Sequence, residues 1–181
     1  MSMSGKKVAI LLAQQYEDLE LWYPYYRFKE EGADVVLVAA KANETYPSKH
    51  GYPAMSDMAA REVRAEDFDA IIIPGGFGPD FMRRDQSMVD FMQQAARGDM
   101  VVAAICHGPW MLCTTDILRG RKATSFFSIR WDITNAGAKW VDQEVVVDDR
   151  LVTSREPNDL PAFCKATIQL MQHRSPVGAA R

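Results

Sequence analysis

Four short runs of nearly unbroken apolar residues stand out along the chain: Val8 to Leu12, Val35 to Ala39, Ala70 to Ile73 and Val101 to Ile105. They are rich in β-branched residues, and their lack of alternation predicts parallel strands covered on both faces. Between them the period changes. Leu19, Trp22, Tyr23 and Tyr26 recur at i, i+3, i+4 and i+7 and stop at Gly32, while Met88, Val89, Met92, Ala95 and Ala96 do the same and stop at Gly98. Both patterns predict amphipathic crossover helices. Pro24 inside the first costs that helix a hydrogen bond and predicts a bend.

Beyond Thr115 the pattern differs. Glu144 to Val147 and Leu151 to Ser154, separated by Asp148, Asp149 and Arg150, predict a β-hairpin. Asn158 is then placed to cap a last helix, with Leu160, Phe163, Cys164, Thr167, Ile168 and Met171 on one stripe. Strand and helix alternating with right-handed crossovers predict an α/β fold, a doubly wound sandwich with a mostly parallel sheet and helices on both faces. Residues 1–5 and 175–181 read as loose tails on a single domain.

Composition narrows the function classes. At 181 residues the chain suits one domain and one core. Lys and Arg number 21 against 24 Asp and Glu, a net charge of −3, which argues against gripping phosphate backbones and against a nucleic-acid partner. Lys6 and Lys7 precede an apolar run, but Val8 to Ala13 is too short for a signal peptide. Met100 to Thr115 is uncharged yet shorter than the roughly 20 residues a bilayer span needs, so no membrane partner is expected. The three cysteines, Cys106, Cys113 and Cys164, are too few and too odd for a disulfide framework and fit a reducing, cytoplasmic setting.

In such a sheet ligands bind beyond the carboxyl ends of the strands. Three such ends carry chemistry: Gln14-Gln15-Tyr16-Glu17, Pro74-Gly75-Gly76-Phe77-Gly78 and Cys106-His107-Gly108-Pro109. A cysteine on a sharp strand-to-helix turn is pushed out of the sheet, and the helix amino end beyond Gly108 predicts a lowered thiol pKa. The N–H groups of Gly76 and His107 could form a two-donor oxyanion hole. Glu17, just past its strand, could enter the same crevice with a raised pKa and donate to sulfur. His107 is adjacent to the nucleophile and is expected to point away from it. Its nearest acidic orienter in sequence is Asp80. Asp18 and Glu20 read as favourable charges at a helix start, Cys113 and Cys164 as core, and His50 and His173 as unpartnered. Gly76-Phe77-Gly78 is no dinucleotide fingerprint, and no metal-ligand spacing occurs, so neither cofactor nor metal is expected.

Ala103-Ala104-Ile105-Cys106-His107-Gly108-Pro109, Pro74-Gly75-Gly76, Tyr16-Glu17-Asp18-Leu19-Glu20-Leu21, Lys49-His50-Gly51-Tyr52 and Arg119-Gly120-Arg121-Lys122 together resemble the PfpI intracellular protease family of the ThiJ/PfpI superfamily. The resemblance runs from about Val8 to Met171. It implies a flavodoxin-like sandwich, Cys106 at a strained elbow, and a glutamic acid touching its sulfur, placed on Glu17. It also implies an acid donated by a neighbouring subunit to orient His107, at the position of Asp80, hence a homodimer or a hexamer built from dimers. Activities implied are peptide hydrolysis, glyoxalase conversion of methylglyoxal, removal of early glycation adducts from proteins or peptides, and redox-sensing or chaperone-like stress protection.

Some residues depart from the family pattern. Asp80 stands where that branch has glutamate, Phe126 where a tyrosine is common, and Trp110 where glutamine is frequent. Phe126 and Trp110 would line, with Gly75, a more apolar pocket, which favours small carbonyl compounds over peptides. The leading expectation is a cofactor-free cysteine hydrolase or lyase of the deglycase, glyoxalase or peptidase kind. The rival is a stress protein without turnover that works through oxidation of Cys106.

Overall fold

The computed structural model describes residues 3–173. In chain order the strands are β1 (Lys7–Leu11), β2 (Asp34–Ala39), β3 (Thr45–Pro47), β4 (Pro53–Met55), β5 (Met58–Ala59), β6 (Ala70–Ile73), β7 (Val101–Ile105), β8 (Lys122–Ala123), β9 (Lys139–Trp140), β10 (Val145–Asp148) and β11 (Leu151–Ser154). The α-helices are α1 (Asp18–Glu30), α2 (Gly78–Met82), α3 (Gln86–Arg97), α4 (Pro109–Leu112), α5 (Arg130–Asn135) and α6 (Leu160–His173). Seven strands form the central sheet in the order β10-β11-β7-β6-β1-β2-β5, with every neighbouring pair parallel except the edge pair β10–β11. Five of them, β2-β1-β6-β7-β11, follow the flavodoxin-like order. Pairs β3–β4 and β8–β9 stand apart from this sheet.

Because successive strand residues point to opposite faces, the two sides of the sheet build two cores. Leu11, Ile71, Ile73, Val102 and Ala104 pack with Met88, Phe91, Met92 and Ala95 of α3. Val8, Ile10, Ile72, Ala103 and Ile105 pack with Leu21 and Phe28 of α1 and with Leu160, Phe163, Cys164 and Ile168 of α6.

Most predicted elements form, with three corrections. The stripe read on α1 faces outward, since Leu19 and Tyr26 are 58% and 64% exposed, and the buried residues of that helix are Glu20, Leu21, Pro24 and Phe28. The helix continues through Pro24. Asn158 does not cap α6; it lies in a 3-10 turn, Pro157–Asp159, that leads into it. Of the expected tails, residues 174–181 and 1–2 lie outside the described residues, but Met3 is buried and its N–H donates to the Glu31 carbonyl at 2.8 Å. No helix among the described residues is long and apolar enough to cross a membrane.

Candidate active site

The order of strands reverses between β1 and β6, and the crevice above their carboxyl ends collects the residues singled out from the sequence. Strand β7 delivers Cys106, whose φ of 60° lies in the left-handed region, a strain of about 1–3 kcal/mol for a residue with a side chain. The surroundings hold it there. The Cys106 N–H donates to the Ser154 carbonyl at 3.0 Å, and its carbonyl accepts from the Phe126 N–H at 2.9 Å. Two residues on, a Cβ on Gly108 would come within 2.3 Å of the Ile73 carbonyl oxygen, so only glycine lets the elbow close against β6.

Cys106 is 8% exposed, and its thiol pKa is pushed well up, first by burial and then by Glu20, whose carboxylate opposes a thiolate once it ionises. The lowered pKa expected from the helix amino end is therefore not found. Helix α4 has four residues, Pro109–Leu112, and so carries little dipole. What opposes the upward shift are the backbone N–H groups of His107 and Gly76, both directed at the sulfur.

The carboxyl that interacts with the sulfur belongs to Glu20, one helical turn beyond the expected Glu17. Glu20 is fully buried, its Oε2 accepts from the Gly75 N–H at 2.7 Å, and its Oε1 has no hydrogen-bond partner among the described residues. Burial lifts its pKa to about 8, helped by the negative charge of Glu17 and opposed by Gly75, Cys106 and the positive charge of Lys49. Gly75 is what lets the groups meet: a Cβ there would stand 2.6 Å from Glu20 Oε2 and 2.8 Å from Cys106 Cβ. Glu17 is buried nearby but is ion-paired with Lys49. Its N–H donates to the Gly75 carbonyl at 3.2 Å, so it frames the crevice.

His107 does reach back to its neighbour. Its Nδ1 lies 3.3 Å from Cys106 Sγ and its Nε2 lies 3.3 Å from Ser128 Oγ. The left-handed turn at Cys106 makes this reach possible. The ring stacks on Phe126 at 5.1 Å and meets Trp110 edge-on at 5.1 Å. Burial lowers the imidazole pKa, the charge of Lys49 lowers it further, and Asp132 partly offsets both. Phe77 against Trp110 and Phe127 against Phe126 extend the aromatic contacts at either end.

Asp80 does not orient the His107 of its own chain; it is ion-paired with Arg84. His50, expected to be alone, pairs through Nδ1 with Asp18 at 2.7 Å, and Ser48 Oγ donates to the same carboxylate at 2.7 Å. Cys164 is buried among α6 core residues, as expected, whereas Cys113 is partly exposed and less buried than Cys106. The sequence reading missed Glu20, Lys49 and Ser128. A different helical phase for α1 would have found the first; Lys49 lies in a turn and Ser128 in a single 3-10 turn, Phe127–Ile129, both too short to show a period.

The DJ-1/PfpI family profile matches residues 6–170. A deglycase of Pyrococcus abyssi is 44% identical over 166 residues, covering 92% of this chain and 99% of that one. Protein/nucleic acid deglycase 2 of Escherichia coli is 42% identical over 169 residues, with coverage of 92% and 98%. Among solved structures, a two-domain protein of Anabaena variabilis with DJ-1/ThiJ/PfpI-like and ferritin-like domains superposes with a TM-score of 0.90 at 41% identity. That match covers 97% of this chain and 52% of the other, so this chain spans about half the length of that protein.

Proposed function

This chain belongs to the DJ-1/PfpI family, and on that premise we propose that it is a cysteine-dependent enzyme acting on small carbonyl adducts, of the deglycase or glyoxalase kind. The observation that carries the reading is the set of groups around one sulfur: a buried Glu20 carboxyl, His107 Nδ1 at 3.3 Å, and the N–H groups of Gly76 and His107. At rest the thiol and the imidazole are both neutral. When a carbonyl carbon sits over Sγ, the thiol proton passes to His107 Nδ1 and the sulfur pair forms the S–C bond. The C=O π pair moves onto oxygen, where backbone N–H donors receive it. The resulting imidazolium is steadied by Ser128 Oγ accepting from Nε2–H. Glu20, neutral at pH 7, repels neither the sulfur anion nor the new oxyanion.

This first step is common to deglycase, glyoxalase and peptidase chemistry, which differ in what leaves afterwards. The aromatic contacts around His107 favour a compact adduct over an extended peptide. Low exposure and a raised thiol pKa bear on the sensor alternative and on turnover alike; what favours turnover is His107 Nδ1 at 3.3 Å from Sγ, placed to take the thiol proton as the S–C bond forms. The exclusion of nucleic acids is withdrawn. Net charge argues only against gripping a phosphate backbone, and the E. coli relative has nucleic acid in its name.

The test is turnover of methylglyoxal and of methylglyoxal-treated peptide by wild type, Cys106→Ala and Cys106→Ser. A drop of at least about a hundredfold is expected in both variants at unchanged melting temperature. Full activity in either removes Cys106 from the reaction.

A further inference from the structure

Phe126 belongs to two places at once. Its ring stacks on His107, and it also lines a separate cleft of about 240 Å³ together with Ser125, Phe127, Trp140, Asp142, Arg155 and Glu156. The cleft therefore adjoins the sulfur through one side chain, and the Phe126 N–H donates to the Cys106 carbonyl at 2.9 Å. The chemistry proposed above does not use it.

Its walls are aromatic and its charge is negative. Phe126 and Phe127 lie 4.7 Å apart, and Trp140 is fixed by its Nε1–H donating to Ser125 Oγ at 3.1 Å. Arg155 is already shared between Asp142 at 2.8 Å and Asp159 at 2.9 Å. Among the charges that line the cleft, Arg155 and Asp142 thus pair with each other, and Glu156, which accepts from Asn158 Nδ2 at 3.5 Å, is the surplus one. Aromatic faces beside surplus negative charge complement a guanidinium or ammonium group on an apolar stem. A phosphate gains less there, because the Arg155 guanidinium is already held by Asp142 and Asp159. The volume is below the roughly 300–1,000 Å³ of pockets that enclose a whole ligand, so it suits one side chain rather than a nucleotide.

Resting on the carbonyl-adduct reading above, we propose that this cleft is the subsite for the carrier of the adduct. It takes an arginine or lysine side chain of a polypeptide next to the adducted residue, and Glu156 is its main charge contact. The site would then prefer adducts on cationic protein segments over the same adducts on nucleotides.

Binding separates this inference from the chemistry. Cys106→Ala is titrated with a methylglyoxal-adducted peptide carrying a flanking arginine, with the same peptide carrying citrulline, and with adducted guanosine monophosphate. The arginine peptide should bind about tenfold tighter than the citrulline peptide, with the difference shrinking at high salt. Adding Glu156→Gln should bring the ratio to within about twofold, and adding Glu156→Lys should invert it. Equal affinity for arginine and citrulline peptides, tighter binding of the nucleotide, or a ratio insensitive to both Glu156 variants would overturn the subsite. Absence of methylglyoxal turnover by wild type would instead overturn the underlying reading and leave these affinity ratios to decide the subsite by themselves.

Discussion

Glu20 decides what the sulfur can do, and its protonation has a consequence for stability that can be read without any substrate. Burial lifts its folded pKa to about 8 from the 4.5 of an ordinary glutamate. Between those values the folded protein holds a proton that the unfolded chain has released. The stability linked to this group is thus full below pH 4.5 and is lost as pH rises through 8. Glu20→Gln keeps the shape and cannot titrate. The unfolding free energy of wild type relative to this variant, from urea titrations, should fall by a few kcal/mol between pH 5 and 8 and then level off. A flat difference would mean that the carboxyl is not held neutral in the fold. The place of Cys106 was legible in the sequence because a cysteine before His107-Gly108-Pro109 has a steric reason to sit on an elbow, and Gly75-Gly76 a reason to approach it. Glu20 was not, because an acid near a helix start has an ordinary explanation, and Glu17 lay nearer the strand end.

That same error is visible in α1 as a whole. Its aromatic residues Trp22, Tyr23 and Tyr26 looked like the core stripe, yet Trp22 meets Tyr25, Tyr26 and Tyr52 near the surface while Glu20, Leu21, Pro24 and Phe28 are buried. A tyrosine-rich face carries hydroxyls that tolerate water, so apolar spacing alone chose the wrong phase. The stripe on α6 had no such ambiguity, and Leu160, Phe163, Cys164, Thr167, Ile168 and Met171 are all buried. The strands were legible for the same reason: residues covered on both faces leave no polar position to misread. Short pieces such as β5, β8 and β9 carry too few residues to show a period. The hairpin turn hides a further tie. Arg150 is buried, its Nη1 donates to the carbonyls of Ala95 at 3.0 Å and Met100 at 3.3 Å, and its Nη2 donates to that of Ala96. It closes the carboxyl end of α3 with a positive charge. Arg150→Met, similar in bulk, leaves those carbonyls without it and should lower the unfolding free energy by about 3 kcal/mol, with turnover per folded molecule unchanged. A denaturation midpoint equal to wild type would show that water replaces the guanidinium at no cost.

Across the whole molecule, one chain supplies a candidate nucleophile, a carboxyl raised by burial, an imidazole and N–H donors, but among the described residues no carboxylate in hydrogen-bond contact with His107; the imidazole meets Ser128 instead, with Asp132 acting only through its field. Asp80, paired with Arg84 in its own chain, keeps its side chain 34% exposed. That exposure leaves it open to the dimer contact that the family resemblance implies. The arrangement makes a prediction about mixtures. Asp80→Ala alone loses the acid and Cys106→Ala alone loses the sulfur, but a symmetric dimer containing one of each rebuilds one intact site from the Cys106 of one chain and the Asp80 of the other. Equal amounts unfolded and refolded together should recover about one quarter of wild-type turnover per site, since half the dimers are mixed and each has one good site. The same variants refolded apart and then combined should recover less, because exchange of folded subunits is slow. If Asp80→Ala by itself retains full activity and the protein sediments as a monomer, each chain works alone and Ser128 is the only group that orients His107.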